Sequence, residues 1–496
     1  MKRASGILLP ISSLPSPYGI GGFTKEAYKF VDFLEDAHQT YWQILPVGPT
    51  GYGDSPYQSF STFAGNPYFI DVDELVKEGV LTKKECKEAD CEGHKNYVEY
   101  GWLHEKRYAL LKKAYKRSNI SEDKDFQRFV DENQSWLKDY ALFMTVKNCF
   151  EGASWLEWAE DIRLRWGYSV DYYYREYAEE IEFYEYLQYK FMEQWKKLKK
   201  YANEKGIQII GDIPIYVALD SADVWAHPDL FQMDTDGKPK AVAGCPPDAF
   251  SADGQLWGNP LYKWDVHKAQ QYDWWIRRME HCYQLYDVVR IDHFRGFDEY
   301  FSIPYGDENA MGGHWEKGPG MDLFRTLEAR LGKQTVIAED LGFQTETVRQ
   351  LVKDSGYPNM KVLGFAFDES HNSEHLPHNY DKNCVVYTGT HDNETIMQWY
   401  DGMQKDKKLA AFVADYMNHP QTPKERVHWD FIRLAMLSCA DTCIVPMQDY
   451  LGLGAEARMN FPSTFGNNWK WRMSKTDMNK TLAKEIFHLT RLSSRG

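Results

Sequence analysis

The chain of 496 residues lacks several features that mark secreted, membrane-spanning or metal-binding proteins. No apolar run reaches the roughly 18 residues of a transmembrane helix. Its eight cysteines include no Cys-x-x-Cys pair, which favours reduced thiols over a disulfide framework. The N-terminal apolar run ends at Pro10, too soon for a secretory signal peptide. We therefore expect a cytoplasmic protein that does not contact a membrane.

Positive charge and phosphate-binding motifs are also scarce. Lys and Arg number 58 against 73 Asp and Glu, so the formal net charge is −15 and nucleic acid is not an expected partner. No P-loop or Gly-rich phosphate cradle is present. The segment LGLGAEAR at 451–458 imitates a dinucleotide-binding pattern, but it follows the last predicted strand, so we discount it.

What the chain does have is a repeated alternation of short apolar runs with amphipathic segments. Eight runs rich in Val and Ile are typical of buried parallel strands. They lie at 6–10, 41–47, 207–217, 287–292, 335–340, 361–367, 384–390 and 441–449. Helical patterns lie between many of them, at 24–37, 273–286, 345–356 and 424–438. The alternation predicts an α/β fold, a (β/α)8 TIM barrel.

The uneven spacing of these runs predicts large insertions at the C-terminal mouth of one barrel that spans 1–496. Residues 71–205, between the second and third runs, are charged, aromatic-rich and helical in pattern, which indicates a largely helical insertion subdomain. Residues 218–286 after the third run indicate a loop-rich insertion. Within it, 243–262 is so rich in Gly, Pro and Asp that we expect no regular structure, and long loops of this kind are usually functional.

Three carboxylates stand where three of the apolar runs turn polar. They are Asp292 in VVRIDHFRG, Glu339 in TVIAEDLG and Asp392 in VVYTGTHDNE. A carboxylate at the end of a buried strand is costly unless it faces a site, so the three together predict one catalytic mouth. Arg290 points to the same side of its strand as Asp292, and its charge is expected to lower the pKa of that carboxyl. The alternative for this pair is a purely structural ion pair.

A metal site is the alternative for the three acids. Magnesium needs several oxygen ligands and usually a phosphate-bearing substrate, for which no motif is present. The histidines at 371, 375 and 378 have a loose metal-like spacing, but Pro377 between them favours a loop over a zinc-binding helix. We therefore expect neither a metal nor a cofactor.

Two carboxylates with distinct roles are what glycosyl transfer needs. One must be a general acid with a raised pKa, which apolar walls around Glu339 could provide. Flat aromatic side chains in loops could stack on sugar rings, although ordinary packing must account for most of the aromatics. The loop candidates are Tyr52, Tyr57, Phe250, Trp257, Trp469 and Trp471.

Several longer blocks together resemble the 4-alpha-glucanotransferase family, also called amylomaltase or disproportionating enzyme, of the α-amylase-like superfamily. The resemblance runs almost end to end. The blocks include GDIPIYVALDSADVWAHPDLF, VVRIDHFRGFDEY, VIAEDLG, YTGTHDNET and ARMNFPSTFGNNWKWR. The blocks SPYQSFSTFAGNPYFID and GCPPDAFSADGQLWGNP, in this order, are the most specific.

The resemblance implies a retaining enzyme that moves α-1,4-glucan segments to the 4-hydroxyl of an acceptor sugar without a cofactor. It implies Asp292 as the nucleophile, Glu339 as the acid/base and Asp392 as the carboxylate that stabilises the transition state. Further substrate contacts that it implies are Tyr57, Asp212, Gln255, Trp257, Arg290, His391 and Asn468. The loop 245–258 resembles a flap over the cleavage site. The chain departs from the family at Ser463, often Gly, and at Gly364, often Gln or Glu, which concerns substrate subsites.

Two other functions remain to be distinguished. A hydrolase would use the same acids, and only the resemblance favours transfer. A non-catalytic glucan-binding protein on the same barrel would be expected to have lost one of the three acids, and all three are present. The sequence leaves open whether the protein is a monomer or a homodimer, and which α-1,4-glucans, from maltooligosaccharides to amylose, starch or glycogen, it prefers.

Overall fold

The computed structural model describes residues 1–51, 53–89, 96–247, 253–368, 370–418, 422–464 and 466–496. Tyr52 and Phe250, two of the aromatics that the sequence suggests for sugar stacking, lie outside the described residues. The middle of the predicted flap, 248–252, lies outside them as well. No helix within the described ranges is long and apolar enough to cross a membrane.

Eight parallel strands form the central sheet, in the order β10-β11-β12-β1-β2-β3-β6-β9. The Ala338 N–H at the end of β9 donates to the Pro358 carbonyl just before β10 at 3.0 Å, so the sheet closes almost completely into a barrel. The described strands are β1 (Ala4–Leu8), β2 (Tyr41–Gln43), β3 (Gln208–Pro214), β4 (Ala241–Cys245), β5 (Gln255–Pro260), β6 (Val288–Asp292), β7 (Glu299–Pro304), β8 (His314–Lys317), β9 (Val336–Ala338), β10 (Asn359–Val362), β11 (Cys384–Tyr387) and β12 (Thr442–Pro446). Each of the eight apolar runs overlaps a barrel strand, although β1 and β10 each begin two residues before their run, and the predicted fold class is confirmed.

Helices surround the barrel and fill the long connections. They are α1 (Lys25–Asp36), α2 (Val72–Lys77), α3 (Lys83–Glu88), α4 (Tyr100–Ser118), α5 (Lys124–Glu132), α6 (Gln134–Cys149), α7 (Glu160–Arg163), α8 (Gly167–Glu176), α9 (Ala178–Glu204), α10 (Ala222–Ala226), α11 (Trp264–Ala269), α12 (Asp273–Leu285), α13 (Met321–Leu331), α14 (Glu346–Ser355), α15 (Ile396–Met403), α16 (Lys407–Met417), α17 (Val427–Leu437), α18 (Met447–Tyr450) and α19 (Lys480–Leu492). The four predicted amphipathic helices correspond to α1, α12, α14 and α17. In α1 the Thr24 side chain caps the first turn and accepts from the Glu26 N–H, as a good N-cap residue does.

The barrel strands are buried on both faces because helices cover the outside and side chains fill the inside. Every residue of β1, β11 and β12 is buried. Glycine allows one close approach near the site. A Cβ on Gly211 would lie 2.1 Å from the Tyr286 ring, so only glycine lets that ring pack on β3 just before Asp212.

Helices α2–α9 lie between β2 and β3, and α6 packs along the 27-residue α9. The division of the chain into one barrel, a helical insertion 71–205 and an insertion 218–286 stays a prediction. Regular structure does occur where the composition of 243–262 indicated none, since all of β5 and the end of β4 fall there. This expectation was wrong because β4 pairs with β7, some 60 residues later in sequence, in a second antiparallel sheet ordered β5-β4-β7-β8.

Candidate active site

The carboxyl ends of β6 and β9 bring two of the three predicted acids together. The strands run in parallel with Ile291 opposite Ala338, so the next residues, Asp292 and Glu339, lie side by side. The Glu339 N–H donates to the Ile291 carbonyl at 3.1 Å, which extends the pairing by one residue to the acids themselves. Neighbouring strands in a sheet lie about 4.8 Å apart, so these two carboxyl groups share one local environment.

Arg290 connects two carboxylates at the bottom of this mouth. Its Nη2 lies 2.9 Å from Asp292 Oδ1, and its Nη1 lies 2.7 Å from both carboxylate oxygens of Asp212. Its Nε donates to the Met360 sulfur at 3.3 Å. Arg290 and Asp212 are both buried, so the guanidinium is held rigidly against Asp292. Asp212 therefore orients Arg290, and direct contact between Asp212 and substrate stays a prediction.

The protonation states of Asp292 and Glu339 depend on each other. Burial raises the pKa of Glu339 to about 8, and the negative charge of Asp292 adds to this shift. Backbone N–H groups of His293 and Leu341 donate to the Glu339 carboxylate at 2.6 and 2.8 Å and oppose it. Because Arg290 contacts Asp292, the proton of the pair resides on Glu339 and Asp292 is ionised.

The expectation that Arg290 lowers the pKa of Asp292 below its usual value was wrong in its net direction. Burial raises the pKa of Asp292 more than the Arg290 guanidinium lowers it, and the charge on Asp212 adds to the rise. The sequence indicates the nearest cation, Arg290, but neither the burial of Asp292 nor the charge on Asp212. The strand that carries Asp212 lies about 80 residues away in sequence but pairs directly with β6.

The surroundings of the third acid, Asp392, lower its pKa, whereas those of Asp292 and Glu339 raise theirs. Burial alone would raise the pKa of Asp392, but His391 and hydrogen bonds from His391 and Asn460 lower it to about 2. His391 Nε2 lies 3.2 Å from one carboxylate oxygen, and Asn460 Nδ2 donates to the other at 2.7 Å. The Asp392 side chain is 43% exposed, so an ionised carboxylate is presented to the mouth. Sequence reasoning missed Asn460, although it lies in the quoted block ARMNFPSTFGNNWKWR.

Aromatic rings form one wall beside these acids. The Tyr57 hydroxyl donates to Asp212 Oδ2 at 3.0 Å, and its ring stacks on His391 with centroids 5.0 Å apart and planes at 20°. The Trp469 ring lies 5.7 Å from Tyr57 and 5.8 Å from His391. Trp471 is also buried, and its carbonyl accepts from the Ser13 hydroxyl at 2.7 Å, which is a packing role.

A second wall comes from β5 and from a residue that sequence reasoning missed. The Trp257 indole N–H donates to Gln255 Oε1 at 3.1 Å, and its ring meets His293 edge-on at 4.8 Å. His293 has a φ of 56°, which is unusual for a non-glycine residue. This conformation aims its N–H at Glu339, and its buried Nε2 has no hydrogen-bond partner among the described residues. The feature of the sequence that could have indicated His293 is its position directly after Asp292.

The three histidines with metal-like spacing have separate partners. The His371 ring stacks on Phe412, and His378 Nδ1 lies 3.0 Å from the Tyr416 hydroxyl. His375 Nδ1 accepts from the Val362 N–H at 3.1 Å. In the part of the chain that the structure describes, no group of three or more His, Cys, Asp or Glu side chains has the geometry to hold a metal ion.

Comparison with known proteins identifies the family of this chain. Residues 9–478 match the family model described as 4-alpha-glucanotransferase. The chain belongs to this family. The 4-alpha-glucanotransferase of Clostridium butyricum is 47% identical over 488 residues, which cover 98% of this chain and 99% of that protein. That of Streptococcus pneumoniae is 46% identical and covers 100% of this chain and 98% of its own.

Solved structures of the 4-alpha-glucanotransferase family agree with the fold. The amylomaltase from Streptococcus agalactiae, solved in complex with acarbose, superposes with a TM-score of 0.96 at 42% identity and covers 100% of both chains. The amylomaltase from Corynebacterium glutamicum shares the fold at 19% identity, with a TM-score of 0.78, and its match covers 99% of this chain and 75% of that one.

The structure describes the surroundings of Ser463 and Asn468, two residues to which the resemblance to the 4-alpha-glucanotransferase family draws attention. Ser463 has a φ of 62°, a conformation that favours glycine, which the family often has there. Asn468 is buried, accepts from the Phe461 N–H at 3.0 Å and donates to the Thr464 carbonyl at 3.0 Å. Its amide therefore stabilises the loop that carries Asn460, and its contact with substrate stays a prediction.

Proposed function

We propose that this member of the family transfers α-1,4-glucan segments from a donor to the 4-hydroxyl of an acceptor glucose or maltodextrin by retaining double displacement. The proposal rests on two carboxyl groups that follow paired strand ends, with Arg290 Nη2 2.9 Å from Asp292 Oδ1 and with Glu339 next to it, whose pKa burial raises to about 8. The backbones of adjacent strands lie about 4.8 Å apart, and retaining enzymes hold their two carboxyl groups about 5–5.5 Å apart, so neighbouring strand ends suit this mechanism. The acarbose bound to the S. agalactiae amylomaltase supports α-glucans as the substrate class.

In the first step, Asp292 attacks the anomeric carbon while Glu339 gives its proton to the glycosidic oxygen. The fragment on the reducing-end side leaves, and a covalent glucosyl-enzyme ester forms at Asp292. A donor carboxyl with a pKa of about 8 remains protonated at neutral pH, which is the state that this step requires.

In the second step, Glu339 removes the proton from the 4-hydroxyl of an acceptor sugar, and that oxygen displaces Asp292 from the anomeric carbon. Loss of the negative charge on Asp292 in the ester removes one of the causes that raise the pKa of Glu339. Glu339 is then a carboxylate with a lower pKa and is able to act as the base. The ester conserves the energy of the cleaved bond, so the scheme requires no cofactor.

The remaining predicted residues are proposed to bind the donor sugar. Asp392, held ionised by His391 and Asn460, accepts sugar hydroxyls and stabilises the positive charge that develops on the ring. Tyr57 with His391 and Trp257 with Gln255 supply flanking surfaces. Gln255 and Trp257, at the described end of the predicted flap, are proposed to shield the site and favour a sugar over water as acceptor.

Incubation with maltotriose tests the proposal. Transfer produces glucose together with maltodextrins longer than maltotriose, which chromatography of the products resolves. Release of glucose and maltose alone would mean that the protein is a hydrolase with the same acids. Unchanged maltotriose after long incubation with folded protein would instead favour a non-catalytic glucan-binding protein.

The proposal includes two further expectations, which concern the cellular compartment and the oligomeric state. The free thiols Cys86, Cys282, Cys384 and Cys443 are buried, which suits a reducing, cytoplasmic compartment. The protein is expected to act as a monomer or a homodimer. Sedimentation analysis distinguishes these two states, and a mass above that of a dimer would contradict the expectation.

A further inference from the structure

Several hydrogen bonds hold the loop that follows β9 and Glu339. The Leu341 N–H donates to Glu339 Oε1 at 2.8 Å, so the loop begins at the carboxyl group itself. Gly342 turns the chain with a φ of 87°. The Gln344 side-chain amide then donates back to Asp340, to its carbonyl and to Oδ2 at 3.0 Å. The five residues 340–344 therefore fold back close to Glu339.

A buried arginine holds the tip of this loop. Arg295 is only 6% exposed, and its Nη1 donates to the Phe343 carbonyl. Its guanidinium lies 4.0 Å from the centre of the Trp315 ring, on β8 of the second sheet. The Nε and Nη2 atoms of Arg295 are buried without a partner in the described ranges, so this carbonyl is the acceptor that the guanidinium uses.

The Phe343 ring contrasts with its fixed backbone. It is 73% exposed, the highest value among the large hydrophobic side chains that the structure describes. Single exposed apolar side chains are common on protein surfaces and need no function. Here, however, hydrogen bonds from Arg295, and from Leu341 and Gln344 on either side, hold the backbone. The exposed ring is thus carried by a hydrogen-bonded backbone that lies four residues after Glu339.

We infer that Phe343 is the stacking platform for the acceptor sugar, and that Arg295 is the residue that positions it. This inference rests on the proposed function. Glu339 protonates the oxygen of the departing sugar and later deprotonates the acceptor, so both must lie on the Glu339 side of the cleaved bond. The loop 340–344 starts at that carboxyl. An aromatic face there binds the sugar ring in either direction of the reaction.

The test separates the two half-reactions with α-maltotriosyl fluoride as donor. Fluoride leaves without a sugar on the acceptor side, so its release in water reports attack by Asp292 and hydrolysis. Adding increasing concentrations of maltose then measures the acceptor KM from the acceleration. For Phe343→Ala we expect the acceptor KM to rise about tenfold, which is the loss of a modest apolar contact. Fluoride release without maltose should stay within about twofold of the wild-type rate.

Matched variants identify the cause. Phe343→Trp keeps a flat ring and should restore the acceptor KM. Tyr168→Ala removes an aromatic of similar exposure, 64%, from α8 and should leave the KM unchanged. Arg295→Gln should raise the acceptor KM with unchanged release in water, and its melting temperature shows whether the variant is folded.

The outcomes distinguish this inference from the function on which it rests. An acceptor KM within twofold of wild type in Phe343→Ala would overturn the inference, as would an equal loss in release with and without maltose. If maltose does not accelerate the wild-type protein at all, the transferase proposal fails first, and with it any acceptor site.

Discussion

Glu339, directly after β9, and Asp392, in the loop after β11, both lie near Asp292 but differ in protonation. Burial and the charge on Asp292 raise the pKa of Glu339 to about 8. Burial also acts on Asp392, yet His391 and Asn460 outweigh it and lower the pKa to about 2. Both acids follow β-branched apolar runs of similar appearance. Their neighbours across strands and loops, rather than their local sequence, therefore decide which is an acid and which is an anion.

The largest expected effect is that of Asp292→Asn, which removes both the proposed nucleophile and the charge that raises the pKa of Glu339. Turnover of maltotriose should fall by at least about 10⁴-fold. The pKa of Glu339, followed by NMR of carboxyl-labelled protein, should fall towards its ordinary value. Asp287→Asn, at the opposite end of β6, is the control and should keep its activity. A near-normal rate in Asp292→Asn would refute the nucleophile assignment.

Glu339→Gln tests whether this carboxyl is the acid of the pair. Its turnover of maltotriose should fall by about 10²–10⁴-fold, since the departing sugar needs a proton. The first step with α-maltotriosyl fluoride should survive, because fluoride leaves without protonation, and a burst of fluoride measures it. The control is Glu328→Gln on α13, an exposed carboxylate with no ion pair among the described residues, which should behave as wild type. Equal losses with both donors would show that Glu339 does not act as the acid.

Asn460→Ala addresses the other side of the comparison, by removing a hydrogen bond that keeps Asp392 ionised. The pKa of Asp392 should rise from about 2, and kcat/KM should fall about tenfold, as expected for loss of a hydrogen bond to a charged group. Asn379→Ala, which removes an exposed amide that donates to the Ser373 carbonyl, is the matched control. If Asn460→Ala has the same kcat/KM as the wild-type protein between pH 4 and pH 7, the Asn460 amide does not contribute to keeping Asp392 ionised.

The smallest expected effect is on stability against pH. The pKa of Glu339 is raised to about 8 from an ordinary 4.5, so its contribution to folding is full below about pH 4.5 and is lost as pH rises through 8. Glu339→Gln lacks this loss. The difference in melting temperature, variant minus wild type, should therefore rise by a few degrees between pH 5 and pH 9. Asp392 has the opposite sign, with stability present above about pH 3.8 and lost towards pH 2. A constant difference between Glu339→Gln and wild type across this range would contradict the raised pKa.

Much of the fold could be predicted because parallel barrel strands are continuous apolar runs that helices separate. The acids illustrate this, since β6 ends at Asp292, β9 ends one residue before Glu339, and β11 ends five residues before Asp392. The second sheet could not be predicted in the same way. Its strand β5 is only partly buried and begins in a Gly- and Pro-rich segment, and it becomes a strand through pairing with β4.

The sequence by itself determined the barrel, the three strand-end acids and, through its long blocks, the family. Only the tertiary structure decided their electrostatics, because a pKa depends on groups within a few ångströms from any part of the chain. Asp212 reaches Arg290 from β3, and Asn460 reaches Asp392 from the loop after β12. Arg295 likewise holds Phe343, 48 residues later in sequence, beside Glu339. These contacts shift the pKa values of Glu339 and Asp392 in opposite directions, which their similar apolar runs could not indicate.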